Sequence, residues 1–572
     1  MNNLKINPFK HEYFLGYINQ VFPQFVKVHF PSSVLLNGFT HFGEEFNGGL
    51  VGSFVIIEGD KNGFLGRITE LSLPESERLS LNEKAFQTSD FHPTGKIEIL
   101  LSFDLYEPLK VKKGLTSYPN IGAKVFVSSG ELVQQYMSRF GVKEGDVIDP
   151  IKLGHLVTST STEVKVNLQS IFGRHCAVVG TTGGGKSYTV SKLVESLIET
   201  GNKAILIDAT GEYRGEYKNT KTIEIGTGEN ILHYSQLSID DIFFLLKPSP
   251  RTQMPKLMEA IRSLKIVKIA GSTQLEHKGE TIPIEDGLLK KNSRPKKPYD
   301  AFYYNNISVI ENGLADFDFM KLHRQLSEEC IYDNGTSWGG TAPNDVSYCV
   351  SLISRVSNLA NTPELNQIFG FQQERTENDV TDVINAFTSE DNTTDNLLRL
   401  NLENVKYDFQ VRETFVNAIG KFLLTKARNG SFKNCPIVVF IDEAHQFLNK
   451  SIKDEYFDTK PLDAFDSIAK ECRKHGLFMC IATQMPRDIP QGTLSQMGTF
   501  IVHRLINHND KEAISSACSS ANKNTLEFLP ILGEGEAILT GVDFPMPIIM
   551  KFDLPKNEPN SKTPSLNKIF VS

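Results

Sequence analysis

Residues 175–187 read HCAVVGTTGGGKS. The stretch from His175 to Val179 is a short apolar run, too short for a globular helix, and reads as a buried strand. Immediately after it, Gly180-Thr181-Thr182-Gly183-Gly184-Gly185-Lys186-Ser187 fits G-x-x-x-x-G-K-[S/T] at every position. Chance supplies on the order of 0.02 such matches in a chain of this length. Beyond it, Val190, Leu193, Val194, Leu197 and Ile198 are spaced as one helical face. A phosphate site needs this order of parts. Backbone N–H groups must reach phosphate oxygens with no Cβ in the way, at a helix N-terminus whose dipole favours negative charge. Lys186 is expected to reach the β and γ phosphates of ATP as a point charge, and the Ser187 hydroxyl to ligate Mg²⁺. Thr189, in the same helical start, joins the expected nucleotide-binding set.

A second apolar run, PIVVFID at 436–442, ends in Asp442-Glu443. A buried strand delivering a carboxylate to a phosphate-bound metal is the expected partner of the glycine loop. Asp442 is expected to hold Mg²⁺ through water, and Glu443 to orient and deprotonate the attacking water. A third run, LFMCIA at 477–482, ends in Thr483-Gln484, where Gln484 can donate to a γ-phosphate and accept from water. This implies an extra strand between the two phosphate-binding strands; a plain polar strand end is the alternative. Arg473 and Lys474 close a helix starting near Ala464, where cations suit the helix C-terminus; Arg473 as a finger acting on a neighbouring subunit is the sharper alternative. Asp208, ending KAILID at 203–208, and Glu212 lie where an active-site role and a structural one stay equally open.

Length and composition bound the rest. With 572 residues, 40% hydrophobic and 22% charged, the chain is ordinary globular material of several domains. No apolar run approaches the roughly 18 residues of a membrane span, and the start lacks a signal-peptide layout, so a cytoplasmic protein without membrane contact is expected. Seven scattered cysteines with no Cys-x-x-Cys support neither a disulfide framework nor a structural zinc site. A net charge of −8 does not advertise a polyanionic partner, though it says little about one pore.

Residues 1–155 read as a β-rich domain for assembly or partner docking, a small barrel. Phe54–Ile57 and Phe64–Glu70 flank Asp60-Lys61-Asn62-Gly63 as a hairpin, and Ile97, Ile99, Leu101, Phe103 and Leu105 alternate on one face. A further short strand is expected at 124–128. The α/β rhythm, with another strand in TFIVHR at 499–504, assigns 156–230 and 396–550 to the ATPase core. Residues 231–395 read as an inserted helical subdomain, in which Lys290, Lys291, Arg294, Lys296 and Lys297 read as a solvated loop, with a DNA contact as the alternative. A helix is expected over 411–426, and an extended strap suited to a neighbour over 551–572. The fold class is therefore α/β, a RecA-like P-loop core with an amino-terminal barrel and a helical insertion.

In this order, VGSFVIIEG with FLGRITEL, YPNIGAKVFVSS, RHCAVVGTTGGGKS, LIDATGEYRG, VVFIDEAHQFL, ECRKHGLFMCIATQMP and LPILGEGEAILTG resemble the HerA family of hexameric DNA-translocating ATPases, relatives of the FtsK motors. The resemblance spans most of the chain and is weak over 230–395. Cys472 departs from it where glycine is expected before Arg-Lys, and Met485 where a basic residue is expected after Gln484. The resemblance implies hydrolytic roles for Lys186, Ser187, Asp442, Glu443 and Gln484, and Arg473 as the residue supplied in trans. It also implies a homohexamer with double-stranded DNA in its channel, and an effector partner: a NurA-type nuclease, another nuclease, or a sirtuin-like NAD hydrolase. The settings implied are DNA-end processing and antiphage defence. A nucleotide-dependent scaffold that regulates a defence effector, and a motor acting on protein, are the alternatives.

Overall fold

The computed structural model describes residues 8–41, 44–46, 48–74, 91–105, 111–112, 117–139, 150–159, 161–406, 410–448, 453–454, 457–458, 462–518, 523–544 and 546–561. The chain divides into two compact units, Met1–Leu197 with Cys480–Pro559, and Ile198–Met479 with Asn560–Ser572.

The first unit opens with a barrel of β1 (Phe14–Val21), β2 (Phe25–His29), β3 (Phe54–Ile57), β4 (Asn62–Ser72), β5 (Thr94–Asp104) and β6 (Lys124–Val127). Antiparallel pairing runs β2-β1-β6-β3-β4-β5, and β5 pairs back onto β2, so the barrel closes and these strands leave no free edge. Leu15, Val28, Val55, Phe64, Ile68 and Ile97 meet inside it, each burial contributing roughly 1.5–3 kcal/mol. The expected hairpin is present: Ile57 pairs with Phe64, so its connection runs over 58–63 and includes Asp60 to Gly63. Within it, Asn62 and Gly63 also pair on their other side with Asp104 and Phe103 of β5. Glycine is needed at 63 because the Phe103 ring lies over the backbone: a Cβ there would stand 2.2 Å from its Cζ.

The predicted single apolar face along β5 holds only for Ile97 and Ile99, which lie in the barrel core; a register shift opposite Leu65 and Gly66 moves Leu101 and Phe103, both buried, to the other face, where Glu98 is buried as well. Arg67, its register partner on β4, donates to Glu98 at 2.8 Å and to Thr525 Oγ1 at 2.5 Å. A buried ion pair thus lets both faces of this wall be covered.

The α/β strands are β7 (Ile151–Leu156), β8 (Glu163–Val166), β9 (Cys176–Val179), β10 (Lys203–Asp208), β11 (Thr220–Glu224), β12 (Leu397–Asn401), β13 (Ile437–Ile441), β14 (Leu477–Thr483), β15 (Thr499–His503), β16 (Glu536–Gly541) and β17 (Ile548–Phe552). In the first unit the order is β8-β7-β17-β16-β15-β9-β14. Pairing is antiparallel up to β15, while β9 runs parallel to β15 on one side and to residues 480–483 of β14 on the other. In the second unit β13-β10-β12-β11 is all parallel. Strands β9, β10 and β13 are buried along their whole length, which is why they read as unbroken apolar runs.

The helices include α1 (Lys186–Glu199), α2 (Ile239–Leu246), α3 (Gln253–Ala270), α4 (Lys297–Asn305), α5 (Leu322–Glu328), α6 (Pro343–Asn361), α7 (Val380–Thr388), α8 (Val411–Arg428) and α9 (Ala464–Glu471). Helices α2 to α7 form the helical stretch between β11 and β12, with a small hairpin of Gln274–His277 and Glu280–Glu285. Its basic segment is a loop in which Arg294 and Lys297 are exposed, as expected, but Lys291 is not. Lys291 is fully buried against Glu329 at 2.8 Å, with its ammonium 4.4 Å from the Tyr299 ring centroid. Lys290, Lys296 and Lys297 pair with Glu328, Asp333 and Glu280. The sequence shows the lysines as a cluster, but the acids that neutralise them lie up to 38 residues away.

The described part of the carboxyl-terminal strap is fastened to α1 of its own chain. The buried Glu195 accepts from the amides of Lys556 and Asn557, and the Ser191 hydroxyl donates to the Asn557 carbonyl. Its apolar end falls within 562–572, outside the described residues. No described helix is long and apolar enough to cross a membrane.

Candidate active site

In the first unit, β9 ends at Val179 and the glycine loop turns directly into α1. The Gly180 amide donates to the Thr483 carbonyl at 3.3 Å, and both the amide and hydroxyl of Thr181 donate to the Arg504 carbonyl, at 3.1 and 3.2 Å. The loop is therefore held by the ends of β14 and β15. Gly183 and Gly185 have φ of +75° and +99°, the left-handed region that glycine enters without steric cost. Lys186 is buried and Ser187 half-buried, whereas Thr182 and Gly183 face solvent. The Thr182 hydroxyl donates to Gln484 Oε1 at 2.5 Å, so Gln484 stands beside the loop. Thr189 is buried with its hydroxyl 2.9 Å from His503 Nε2. His503 went unnoticed in the sequence, where it is only the polar end of TFIVHR.

In the second unit, β13 delivers Asp442 and Glu443, which are 1% and 6% exposed. The Asp442 amide donates to the Ile207 carbonyl at 3.1 Å. Glu443 has φ +47°, a left-handed backbone that a side-chain-bearing residue adopts only when its surroundings impose it. Its Oε2 lies 3.3 Å from His445 Nδ1.

Asp208 is structural. Its two oxygens accept from the amides of Gly211, Glu212 and Tyr213 and from Arg399, folding the segment after β10 into a closed turn. Tyr213 is wholly buried, and burial, reinforced by the charges of Asp442, Asp208 and Glu212, pushes its phenol well above the ordinary range. Arg412 holds the same turn through the Ala209 carbonyl. Neither Arg399 nor Arg412 carries a motif that would mark it in the sequence.

Arg473 sits on the single turn Cys472–His475 that follows α9, exposed, and among the described residues it has no hydrogen-bond or ion-pair partner. Cys472 occupies the expected glycine position with its side chain fully buried, and burial pushes its thiol up to about 11. Met485 is half-buried, and its amide donates to the Thr483 hydroxyl at 3.0 Å.

Strand, glycine loop and helix in one unit, with a buried acidic pair ending a parallel strand in the other, are the parts of a P-loop ATPase. Residues 151–334 match the family model of the helicase HerA central domain, and 425–562 that of the helicase HerA-like C-terminal domain. The chain belongs to the HerA family, and it is an ATPase. It is 24% identical over 447 residues to the probable helicase MJECL08 of Methanocaldococcus jannaschii, covering 76% of this chain and 75% of that one. To the DNA double-strand break repair helicase HerA of Saccharolobus solfataricus it is 23% identical over 408 residues, covering 71% and 68%. Among solved structures, VirB4 of Thermoanaerobacter pseudethanolicus aligns with a TM-score of 0.41 and 14% identity, over 73% of this chain and 99% of that one.

Proposed function

We propose that the chain is the motor subunit of a homohexameric ring that uses ATP hydrolysis to move or unwind double-stranded DNA. It works in the cytoplasm with a separate effector, a nuclease or an NAD hydrolase, in DNA-end processing or antiphage defence. The observation that carries the reading is the glycine loop seated on the ends of two parallel strands, within a chain that matches both HerA domain models. Relatives named as double-strand break repair helicases support DNA as the track.

The loop amides between Gly180 and Ser187 take the triphosphate, with Lys186 on its β and γ oxygens. The Ser187 hydroxyl and the Asp442 carboxylate are hard oxygen donors, the kind Mg²⁺ selects, and these two residues would hold it. Bound there, the ion neutralises charge on the β and γ phosphates. Glu443 takes the proton of the attacking water, and its buried, backbone-constrained carboxylate suits a base that must not wander. Gln484 orients the γ-phosphate and the water. Arg473, exposed and without a partner among the described residues, is available to a neighbouring subunit's nucleotide; such a finger contributes on the order of a thousandfold to turnover.

The deciding experiment is ATP turnover with and without duplex DNA, alongside a solution mass. Stimulation by duplex in a six-subunit species is expected. Turnover indifferent to DNA, with effector activity surviving Lys186→Ala, would instead make the ring a scaffold.

A further inference from the structure

The glycine loop of this chain packs against the side chain of His503, with Gly535 beside it. His503, the last residue of β15, is fully buried beneath the loop. A Cβ built on Gly180 would stand 2.6 Å from the His503 Cβ and 3.5 Å from its Cγ, and one on Gly185 would stand 2.9 Å from the Gly535 Cα and 3.6 Å from the His503 Cε1, so the His503 side chain reaches from one end of the loop to the other. Its two nitrogens are both engaged. Nδ1 lies 2.9 Å from the Glu536 carbonyl on β16, and Nε2 lies 2.9 Å from the Thr189 hydroxyl on α1. A carbonyl can only accept, so Nδ1 carries the proton, and Nε2 accepts from Thr189. One side chain thereby ties the start of α1 to two strands and fills the floor of the loop.

The geometry points to His503, acting through Thr189, as a positioning residue that sets the phosphate loop in its nucleotide-ready shape before ATP arrives. This rests on the reading that the loop takes the triphosphate. Ordering a loop on binding costs conformational entropy that a preset loop has already lost. The loop amides hold the phosphates in the ground state and in the transition state alike, so presetting acts on both equally. Losing it should raise KM for ATP and leave kcat nearly alone.

The test compares His503→Leu, Thr189→Val, Thr189→Ser and the double variant His503→Leu/Thr189→Val, on full-length protein with ATP and magnesium. Each of the first two is expected to raise KM by about tenfold, the size of one lost hydrogen bond that organises a site, with kcat changed by less than about threefold. Thr189→Ser keeps the hydroxyl and should stay within about twofold of the native KM. The double variant should be no worse than the poorer single one, because both remove the same link. If His503→Leu does not fold, the Thr189→Val and Thr189→Ser pair decides alone. Native KM in Thr189→Val, failure of serine to restore it, or full multiplication in the double variant overturns the assignment. Lys186→Ala separates the two readings. If it abolishes ATP binding while Thr189→Val leaves KM native, only the positioning role falls; if it leaves ATP binding intact, the site itself is misplaced and both fall.

Discussion

Arg399 sets Nε at 2.9 Å and Nη2 at 2.7 Å on a single oxygen of Asp208, Oδ2, with both residues buried on neighbouring parallel strands. The carboxylate that the sequence leaves open between catalysis and structure is thus committed to the fold. Arg399→Met would strand it in the interior with only backbone amides. A loss of about 3–5 kcal/mol in unfolding free energy is expected, the usual cost of breaking one partner out of a buried pair. Urea denaturation with unchanged slope measures it, and a loss below about 1 kcal/mol would contradict the role assigned to the pair.

What the sequence makes legible is chemistry that is local along the chain. The glycine loop, the acids after β13 and the Thr-Gln that closes β14 each occupy a few consecutive residues at the end of an apolar run, so spacing alone exposes them. Strand β12 escapes the same reading because Arg399 interrupts its apolar run, LLRLN, and only Asp208, 191 residues away, explains why an arginine is buried there. His503 escapes for a similar reason. A histidine after four residues of a strand looks like any polar strand end until β15 is laid beside β9 and the ring comes to lie beneath Gly180. The basic segment misleads in the opposite direction, since its lysines are adjacent in sequence and their carboxylates are not.

Glu443→Gln keeps the size and the buried position of the side chain while removing its basicity. The variant should bind ATP with magnesium at native affinity and hydrolyse it at least about a hundredfold more slowly, the lower range of what a general base contributes. Filter binding and a single-turnover assay read the two quantities separately. Native turnover would remove Glu443 from the mechanism.

Arg473→Ala should leave ATP affinity within about twofold of native and lower turnover by about a thousandfold. Because Arg473 has no partner among the described residues of its own chain, the loss should be repairable between chains. Mixing it with Lys186→Ala subunits, which keep the arginine but cannot hold nucleotide, should restore measurable turnover above either variant alone. A mixture as inactive as its components would place Arg473 outside any intersubunit site.

Lys296→Gln with Lys297→Gln tests whether the basic segment touches DNA. Both ammonium groups already face carboxylates in this chain, Asp333 and Glu280. The slope of log affinity for duplex against log salt should stay unchanged, whereas each lost phosphate contact would reduce it by about 0.9. Stability should shift by less than about 1 kcal/mol, since these pairs lie near the surface.

His503 also makes folding depend on pH. Burial, aided by the charge of Lys186, holds its pKa down at about 4 against an ordinary 6.5. Between those values the unfolded chain binds a proton that the folded chain refuses, so folding stability rises with pH across this window. The contribution is fully present above pH 6.5 and is lost as pH falls from 6.5 to about 4, amounting to about 3 kcal/mol at about 1.4 kcal/mol per tenfold change. Other groups titrate over the same range, His233 among them, whose pKa burial also lowers. The quantity to measure is therefore the difference between the native chain and His503→Gln, which keeps a polar side chain but cannot take the proton. That difference, from urea melts at pH 7.5, 6, 5 and 4.5, should shift steadily in favour of the variant as the solution is acidified. A difference independent of pH would mean that His503 is not held neutral beneath the loop, and the two-sided hydrogen bonding of its ring would have to be abandoned.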